Sequence, residues 1–322
     1  MTHLVSEVLV TGATGFVGHA VVGKLAVDGS FDGVVAAVRR DDVSWPKGVV
    51  PVEVGDLLPT TDWSEALHGV DALVHCAARV HVMQEDAIDP LQAYREVNVK
   101  GTLNLARQAA QAGVSRFVFV SSIKVNGEAT QPGQTFSADD LLSPLDPYGV
   151  SKQEAELGLR EIEAQTGMEV VIVRPPLVYG PGVKANFAAM LRWVARGIPL
   201  PLGAIHNTRS MVALDNLVDL LVVCLKHPTA AGQTFLVSDG EDVSTTELLR
   251  RTAHAMGKKA FLLPIPAIAL EMSATLLGKR AVAQRLCGSL QVDITKTRSL
   301  LGWSPPLTLD QGLKKAVEGM KT

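Results

Sequence analysis

The sequence predicts a doubly wound α/β fold, a parallel sheet covered by helices on both faces. Three observations predict it. Short, nearly continuous apolar runs alternate with helical patterns through the first half of the chain. A glycine-rich turn, "TGATGFVG", joins the first run to the first helix. The chain has 322 residues and is 47% hydrophobic, enough for a large core and two lobes.

The elements follow in order. "EVLVTG" is a strand, followed by a helical "FVGHAVVGKLAVDG". "GVVAAV" is a second strand and "VVPVEVGD" a third. "DALVHCAA" is a fourth, with a long helix after it that runs to "NLARQAAQAG". "RFVFVSS" is a fifth strand, and "EVVIVRPP" a sixth after the helix "PYGVSKQEAELGLREIEAQTG". Apolar strands separated by helices require right-handed crossovers in one parallel sheet. After Arg174 the pattern changes. Prolines and glycines crowd "PPLVYGPG" and "RGIPLPLGAIHN", helices dominate, and strands are expected at "RSMVAL" and "QTFLVSD". This divides the chain into a cofactor domain, residues 1–174, and a smaller substrate lobe, residues 175–322, with some chain returning to the first domain.

Gly12, Gly15 and Gly18 stand between the first strand and its helix, with Phe16 and Val17 opening that helix. Glycines allow the tight turn and let the backbone approach a pyrophosphate, where helix N–H groups and the dipole favour anions. The context makes the domain Rossmann-like. At the end of the second strand, Arg39 stands where an acidic residue would bind the ribose hydroxyls of NAD(H), and it suits the 2′-phosphate of NADP(H). A shift of one or two residues would put Asp41 in the acidic role, so NAD(H) stays as the alternative. Asp56, after the third strand, is placed to meet the adenine amino group, against a competing role as a turn residue.

"DPYGVSK" begins a helix, with Asp146 at the N-cap and Pro147 at the first helical position. Tyr148 and Lys152 then lie one turn apart on one face. A free phenol has a pKa near ~10. A nearby ammonium, the helix N-terminus and a cationic nicotinamide favour the phenolate, which makes Tyr148 an acid/base for a hydroxyl becoming a carbonyl. Ser122, at the carboxyl end of the fifth strand, is placed to orient the substrate oxygen; Ser121 fits a structural role better.

These motifs resemble the extended short-chain dehydrogenase/reductase family, with its T-G-x-x-G-x-x-G loop, Asp56-Leu57, Ser122 and Y-x-x-x-K as "YGVSK". "EVNVKGTLNL", "RPPLVYGPG", "RSMVALDNLVD" and "TRSLLGWSPPLTLDQGL" extend the likeness over nearly the whole chain. The resemblance implies cofactor contacts from Gly12, Gly15, Phe16, Val17, Gly18, Arg39, Asp56, Leu57, Ala77, Asn98, Tyr148, Lys152 and Pro175. It implies a substrate diphosphate contact from Arg209 and a homodimer built on the helices after strands four and five. "HCAARVHVM" and "SSIKVNGE" resemble a bacterial O-antigen subgroup of UDP-sugar 4-epimerases and 4-keto-6-deoxy-N-acetylhexosamine reductases. The implied chemistry is hydride transfer at sugar C4 with Tyr148 moving the proton.

Departures narrow this reading. The family's dehydratases carry an Asp-Glu pair where this chain has Ile123 and Lys124. Its galactose epimerases carry an Asn where this chain has Leu177, and Val-Tyr-Gly where it has Val125-Asn126-Gly127. Asn126 or Asn186 would supply the lost polar contact, and Lys124 would face the substrate. Arg79 and His81 follow the fourth strand and either face the sugar or lie on the surface. A 4-keto reductase drawing on NADP(H) is the first expectation, a UDP-sugar 4-epimerase with bound NAD the alternative, and a non-catalytic dinucleotide sensor a remote third.

Composition excludes other classes. A net charge of −3 gives no support for nucleic-acid or anionic-membrane partners. Three widely spaced cysteines and scattered histidines lack metal-ligand spacing, so no metal is expected. "MTHLVSEVLVTG" does not read as a signal peptide, and a cytoplasmic location is expected. "LLPIPAIALEMSATLLG" has two prolines and Glu271 and falls short of the roughly 20 apolar residues of a spanning helix. A buried or amphipathic helix is expected there ahead of a peripheral membrane face.

Overall fold

The computed structural model describes residues 5–80, 89–276, 278 and 280–320. Strand β1, Glu7–Thr11, leads through the glycine turn into α1, Phe16–Val27. Then come β2, Gly33–Val38; β3, Val49–Glu53; and β4, Ala72–His75. Their β-branched, nearly continuous apolar residues suit strands buried on both faces. β3 holds Pro51, which a sheet edge tolerates because its missing N–H is not needed there.

The helix expected after the fourth strand is interrupted. α2, Pro90–Tyr94, passes into a π-helical turn, Arg95–Gly101, and then into α3, Thr102–Gln111. Such widened turns are frequent at functional sites. Here the turn buries Asn98 and brings Gly101 against Leu57, where a Cβ would lie 2.8 Å from the Leu57 carbonyl oxygen. β5, Arg116–Val120, is followed by α4, Pro147–Thr166, and β6, Glu169–Arg174. Asp146 caps α4, its carboxylate accepting from the Gly149 N–H at 2.6 Å.

In the second half come β7, Leu177–Tyr179; α5, Ala185–Arg196; β8, Arg209–Ala213; and α6, Leu214–Lys226. They lead to β9, Thr234–Leu236, β10, Asp242–Val243, and α7, Thr245–Ala255. The remaining helices are α8, Ala267–Leu276; α9, Arg280–Cys287; α10, Thr295–Leu301; and α11, Leu309–Glu318. The main sheet has seven strands in the order β3-β2-β1-β4-β5-β6-β9, all parallel. β9 brings the second half of the chain onto the first sheet, and α6 packs over the same core. A second sheet of three strands, β10-β8-β7, carries α5, α7 and α11 on its own apolar cluster. β7 and β10 are three and two residues long, too short to show a period.

The strand order reverses between β1 and β4, so the crevice at their carboxyl ends is where a doubly wound sheet binds ligand. α8 is an amphipathic helix and not a core one: Ala267, Leu270 and Ala274 on one face are half-buried, and its other residues are exposed.

Candidate active site

The glycine turn is built for close approach. Gly12 has φ of +64°, in the left-handed region, and a Cβ on it would lie 2.8 Å from the Ala77 nitrogen. A Cβ on Gly18 would lie 2.2 Å from the Gly12 carbonyl oxygen. α1 starts with Gly15 at its N-cap, no side-chain cap and no acidic residue in its first turn. The first N–H groups of the helix, among them those of Phe16, Val17 and Gly18, therefore suit an anion. These features fit the pyrophosphate of a dinucleotide.

Beyond the turn, the Arg39 guanidinium lies 3.7 Å from the Asp56 carboxylate, with the two side chains 78% and 69% exposed. Asp41 is engaged elsewhere: its N–H donates to Glu53 Oε1 at 2.8 Å, and its carboxylate accepts from the Trp45 indole at 2.9 Å. Arg39 and Asp56 thus share the rim of the crevice, and Asp41 does not take the acidic position.

Under the turn runs a buried polar line that sequence reasoning did not single out. The His75 ring bonds the Thr11 hydroxyl at 2.6 Å and the Thr102 hydroxyl at 2.9 Å. Burial, with the Lys152 ammonium nearby, pushes His75 down to about 3, so the ring is neutral. Thr11 Oγ1 also accepts from the Ala77 N–H at 3.2 Å, which fixes the chain after β4 against Gly12. Asn98 extends the brace. Its amide accepts from the Arg79 N–H at 2.8 Å and donates to the Arg79 carbonyl and the Ser151 hydroxyl, both at 3.0 Å. These bonds tie the chain after β4 to α4 and so brace the crevice wall.

Ser122, Tyr148 and Lys152 meet at the carboxyl end of β5. Ser122 caps the short helix Ile123–Val125, its hydroxyl oxygen accepting from the Lys124 N–H at 3.3 Å. The Pro175 carbonyl accepts from the Ile123 N–H at 3.0 Å and holds this turn to the end of β6. Tyr148 is half-buried, with its ring edge-on to Tyr94 at 6.0 Å. Burial raises its phenol well above the ordinary value, helped by the Asp146 carboxylate, while a hydrogen bond with the Ser122 hydroxyl pulls the other way. The Lys152 ammonium is engaged elsewhere. It donates to the Val120 carbonyl at 3.0 Å and sits 4.4 Å over the Phe119 ring. Burial lowers it to about 8. Without a further cation beside it, the phenol is protonated at neutral pH; the phenolate expected above also calls on the cationic nicotinamide.

The neighbouring candidates divide. Lys124 is ion-paired to Asp146 and, at 3.3 Å, to Glu128, so it ties the serine turn to the start of α4. Asn126 is buried; its amide donates to the Ser137 carbonyl at 2.9 Å and accepts from Arg174 at 3.2 Å. It belongs to a buried network in which the Arg174 guanidinium donates to Glu156 at 2.6 and 3.0 Å and Ser121 donates to the same carboxylate at 2.5 Å. Asn126 and Ser121 are therefore structural here, and the substrate contact expected of Asn126 is not what the geometry offers. Asn186 is exposed in the first turn of α5, directly after Ala185, whose φ of +53° is left-handed. Arg209 opens β8 and donates to the Arg285 and Gly288 carbonyls at 2.6 and 3.2 Å. Burial lowers its pKa. The Arg79 guanidinium lies 5.6 Å over the Tyr94 ring, whereas His81 lies outside the described residues. No cluster able to hold a metal ion occurs among the described residues.

Comparison with known proteins places this geometry. Residues 8–238 match the model of the NAD dependent epimerase/dehydratase family. The chain belongs to this family. A relative from Vibrio cholerae described as UDP-glucose 4-epimerase is 49% identical over 313 residues, 97% of this chain and 94% of that protein. MoeE5, solved in complex with UDP-glucose and NAD, is 26% identical with a TM-score of 0.73, over 98% of this chain and 99% of its own. The UDP-N-acetylglucosamine 4-epimerase structure from Bacillus cereus superposes with a TM-score of 0.80 at 21% identity, over 98% of this chain and all of that one, and so shares the fold. The family's extended short-chain dehydrogenase/reductase fold is the one described above.

Proposed function

We propose that the chain is a UDP-hexose 4-epimerase that retains NAD(H) through its cycle. The observation that carries this reading is the proton-transfer group Tyr148 beside Ser122, with Ile123 and Lys124 standing where the family's dehydratases carry their Asp-Glu pair. Ile123 is buried and Lys124 is bound to Asp146, so neither serves as an acid or base for water elimination. When bound, NAD+ supplies the hydride acceptor for the C4 hydrogen and a positive ring beside the phenol. Tyr148 takes the proton of the C4 hydroxyl and later returns one; Ser122 orients that oxygen. Lys152 stands at the base of this pair, its charge held in a buried site. Arg209 would contact the substrate diphosphate in this reading. The glycine turn, Asp56 and the first turn of α1 hold the dinucleotide. The described activity of the Vibrio cholerae relative supports epimerisation, and the NAD bound to MoeE5 supports the cofactor.

Residues 1–174 serve as the cofactor domain and 175–322 as the substrate lobe in this reading, with a cytoplasmic homodimer formed on α3 and α4. Leu157, 56% exposed on α4, suits such an interface.

One observation favours a second reading. Arg39 stands exposed at the end of β2, where it would bind a 2′-phosphate, as a 4-keto reductase of a UDP-4-keto-6-deoxy-N-acetylhexosamine in O-antigen synthesis would need for NADPH. A panel of UDP-hexoses and UDP-4-keto-6-deoxy-N-acetylhexosamines, run with NADH and with NADPH, separates the two. Consumption of NADPH by the keto sugars, without interconversion of the hexoses, would replace the epimerase reading with the reductase.

A further inference from the structure

We propose that α8 and the strip leading into it form a docking surface for an anionic phospholipid bilayer. Ile268, Met272 and Leu276 recur at i, i+4 and i+8, on one face of α8, and are 72%, 65% and 88% exposed. The opposite face, Ala267, Leu270 and Ala274, is half-buried, so the face of Ile268, Met272 and Leu276 is the one α8 leaves uncovered. The patch continues beyond the helix. Phe261 and Leu263 precede it and are exposed, and the Phe261 carbonyl accepts from the Leu200 N–H at 2.9 Å. That pairing sets the strip beside the end of α5, which shows Trp193 at 45% exposure. Tryptophan and phenylalanine suit the boundary between headgroups and acyl chains. Between α8 and α9 lies an open groove of about 550 Å³, wide enough to take an acyl chain or a headgroup.

Charge selects the occupant. Among the described side chains of segment 258–285, the charges are Lys258, Lys259 and Arg285 against one acid, Glu271, a local charge of +2 in a chain whose net charge is −3. The overall charge conceals this asymmetry. Lys259 and Arg285 are exposed beside the apolar strip, and Arg192 and Arg196 are exposed on α5. Apolar side chains flanked by cations match an anionic bilayer surface, where insertion and electrostatic attraction add. A second copy of this chain would bring the same positive charge to the contact and be repelled. Among the described residues no helix is long and apolar enough to cross a membrane, so the contact is peripheral. It is also linked to the site: α9 carries the Arg285 carbonyl that accepts from Arg209 at 2.6 Å.

Sedimentation of the purified full chain with vesicles tests this. Phosphatidylcholine vesicles containing phosphatidylglycerol should retain the protein, phosphatidylcholine alone should not, and salt should release it. Met272→Asp with Leu276→Asp should weaken retention about tenfold or more, and Lys259→Glu should weaken it severalfold and make it less sensitive to salt. Melting temperature and turnover should not change, because these side chains lie on the surface. Equal retention on both vesicle types, or retention that the substitutions leave intact, would overturn the proposal. So would a wild-type chain that ignores vesicles and self-associates through this face until Met272→Asp separates it.

Discussion

Lys152 is buried at a cost, and Lys152→Met should expose it. The residue is 2% exposed, and its ammonium is held at about 8 against an ordinary 10.5. Because the folded-state value is depressed, the unfolded chain holds the extra proton between these two values. Stability therefore rises with pH through that window, and below about pH 8 the full penalty is present. The difference amounts to about 3 kcal/mol at neutral pH. Methionine removes this penalty but leaves the Val120 carbonyl without its donor, a loss of about 1–2 kcal/mol. The variant should thus gain about 1–2 kcal/mol at pH 7, or roughly 2 °C in melting temperature for a chain this long. Near pH 10.5 and above, wild type loses its penalty and the variant should become the less stable of the two. Thermal melts of both proteins from pH 7 to 11 check this. A variant that melts several degrees lower at pH 7, by an amount independent of pH, would refute the reasoning.

Other consequences follow from the same geometry. Tyr148→Phe should keep nucleotide binding and lose turnover by about a hundredfold or more, read from initial rates beside a binding titration. Glu156→Gln should leave Arg174 buried without a full countercharge and cost about 3–5 kcal/mol, roughly 5 °C in melting temperature. Pairing Glu156→Leu with Arg174→Met should recover most of that loss. Gly18→Ala would set a Cβ 2.2 Å from the Gly12 carbonyl oxygen; it should cost about 1–3 kcal/mol and lower the dinucleotide content of purified protein.

Much of the architecture was legible because parallel strands buried on both faces must be written in apolar, β-branched runs. The strands from "EVLVTG" to "EVVIVRPP", and later "RSMVAL" and "QTFLVSD", appear as β1 to β6, β8 and β9. The glycine turn was legible because backbone approach demands glycine. The start of α4 was legible because Asp146-Pro147 has few other uses. Contacts made by polar side chains were harder. Asn126 reads equally well as a ligand contact or a core bond, and only the position of Arg174 decides for the core. His75 gave no sign of its role between Thr11 and Thr102, because a lone histidine in an apolar strand has no spacing to read. The π-helical turn at Asn98 leaves the apolar pattern nearly unchanged. α8 shows the sharpest limit. Apolar composition describes a buried helix and a half-exposed one alike, and only the structure shows that Ile268, Met272 and Leu276 are left uncovered.

The central claim is that one phenol and one retained NAD(H) move a proton and a hydride back and forth at sugar C4. Its most direct test is to incubate purified, desalted protein with UDP-galactose and no added cofactor, and to follow UDP-glucose by chromatography. The account predicts steady interconversion, with NAD(H) released only on denaturing the protein, and none from Tyr148→Phe. No interconversion without added dinucleotide, with NADPH oxidised stoichiometrically on a 4-keto sugar, would contradict it.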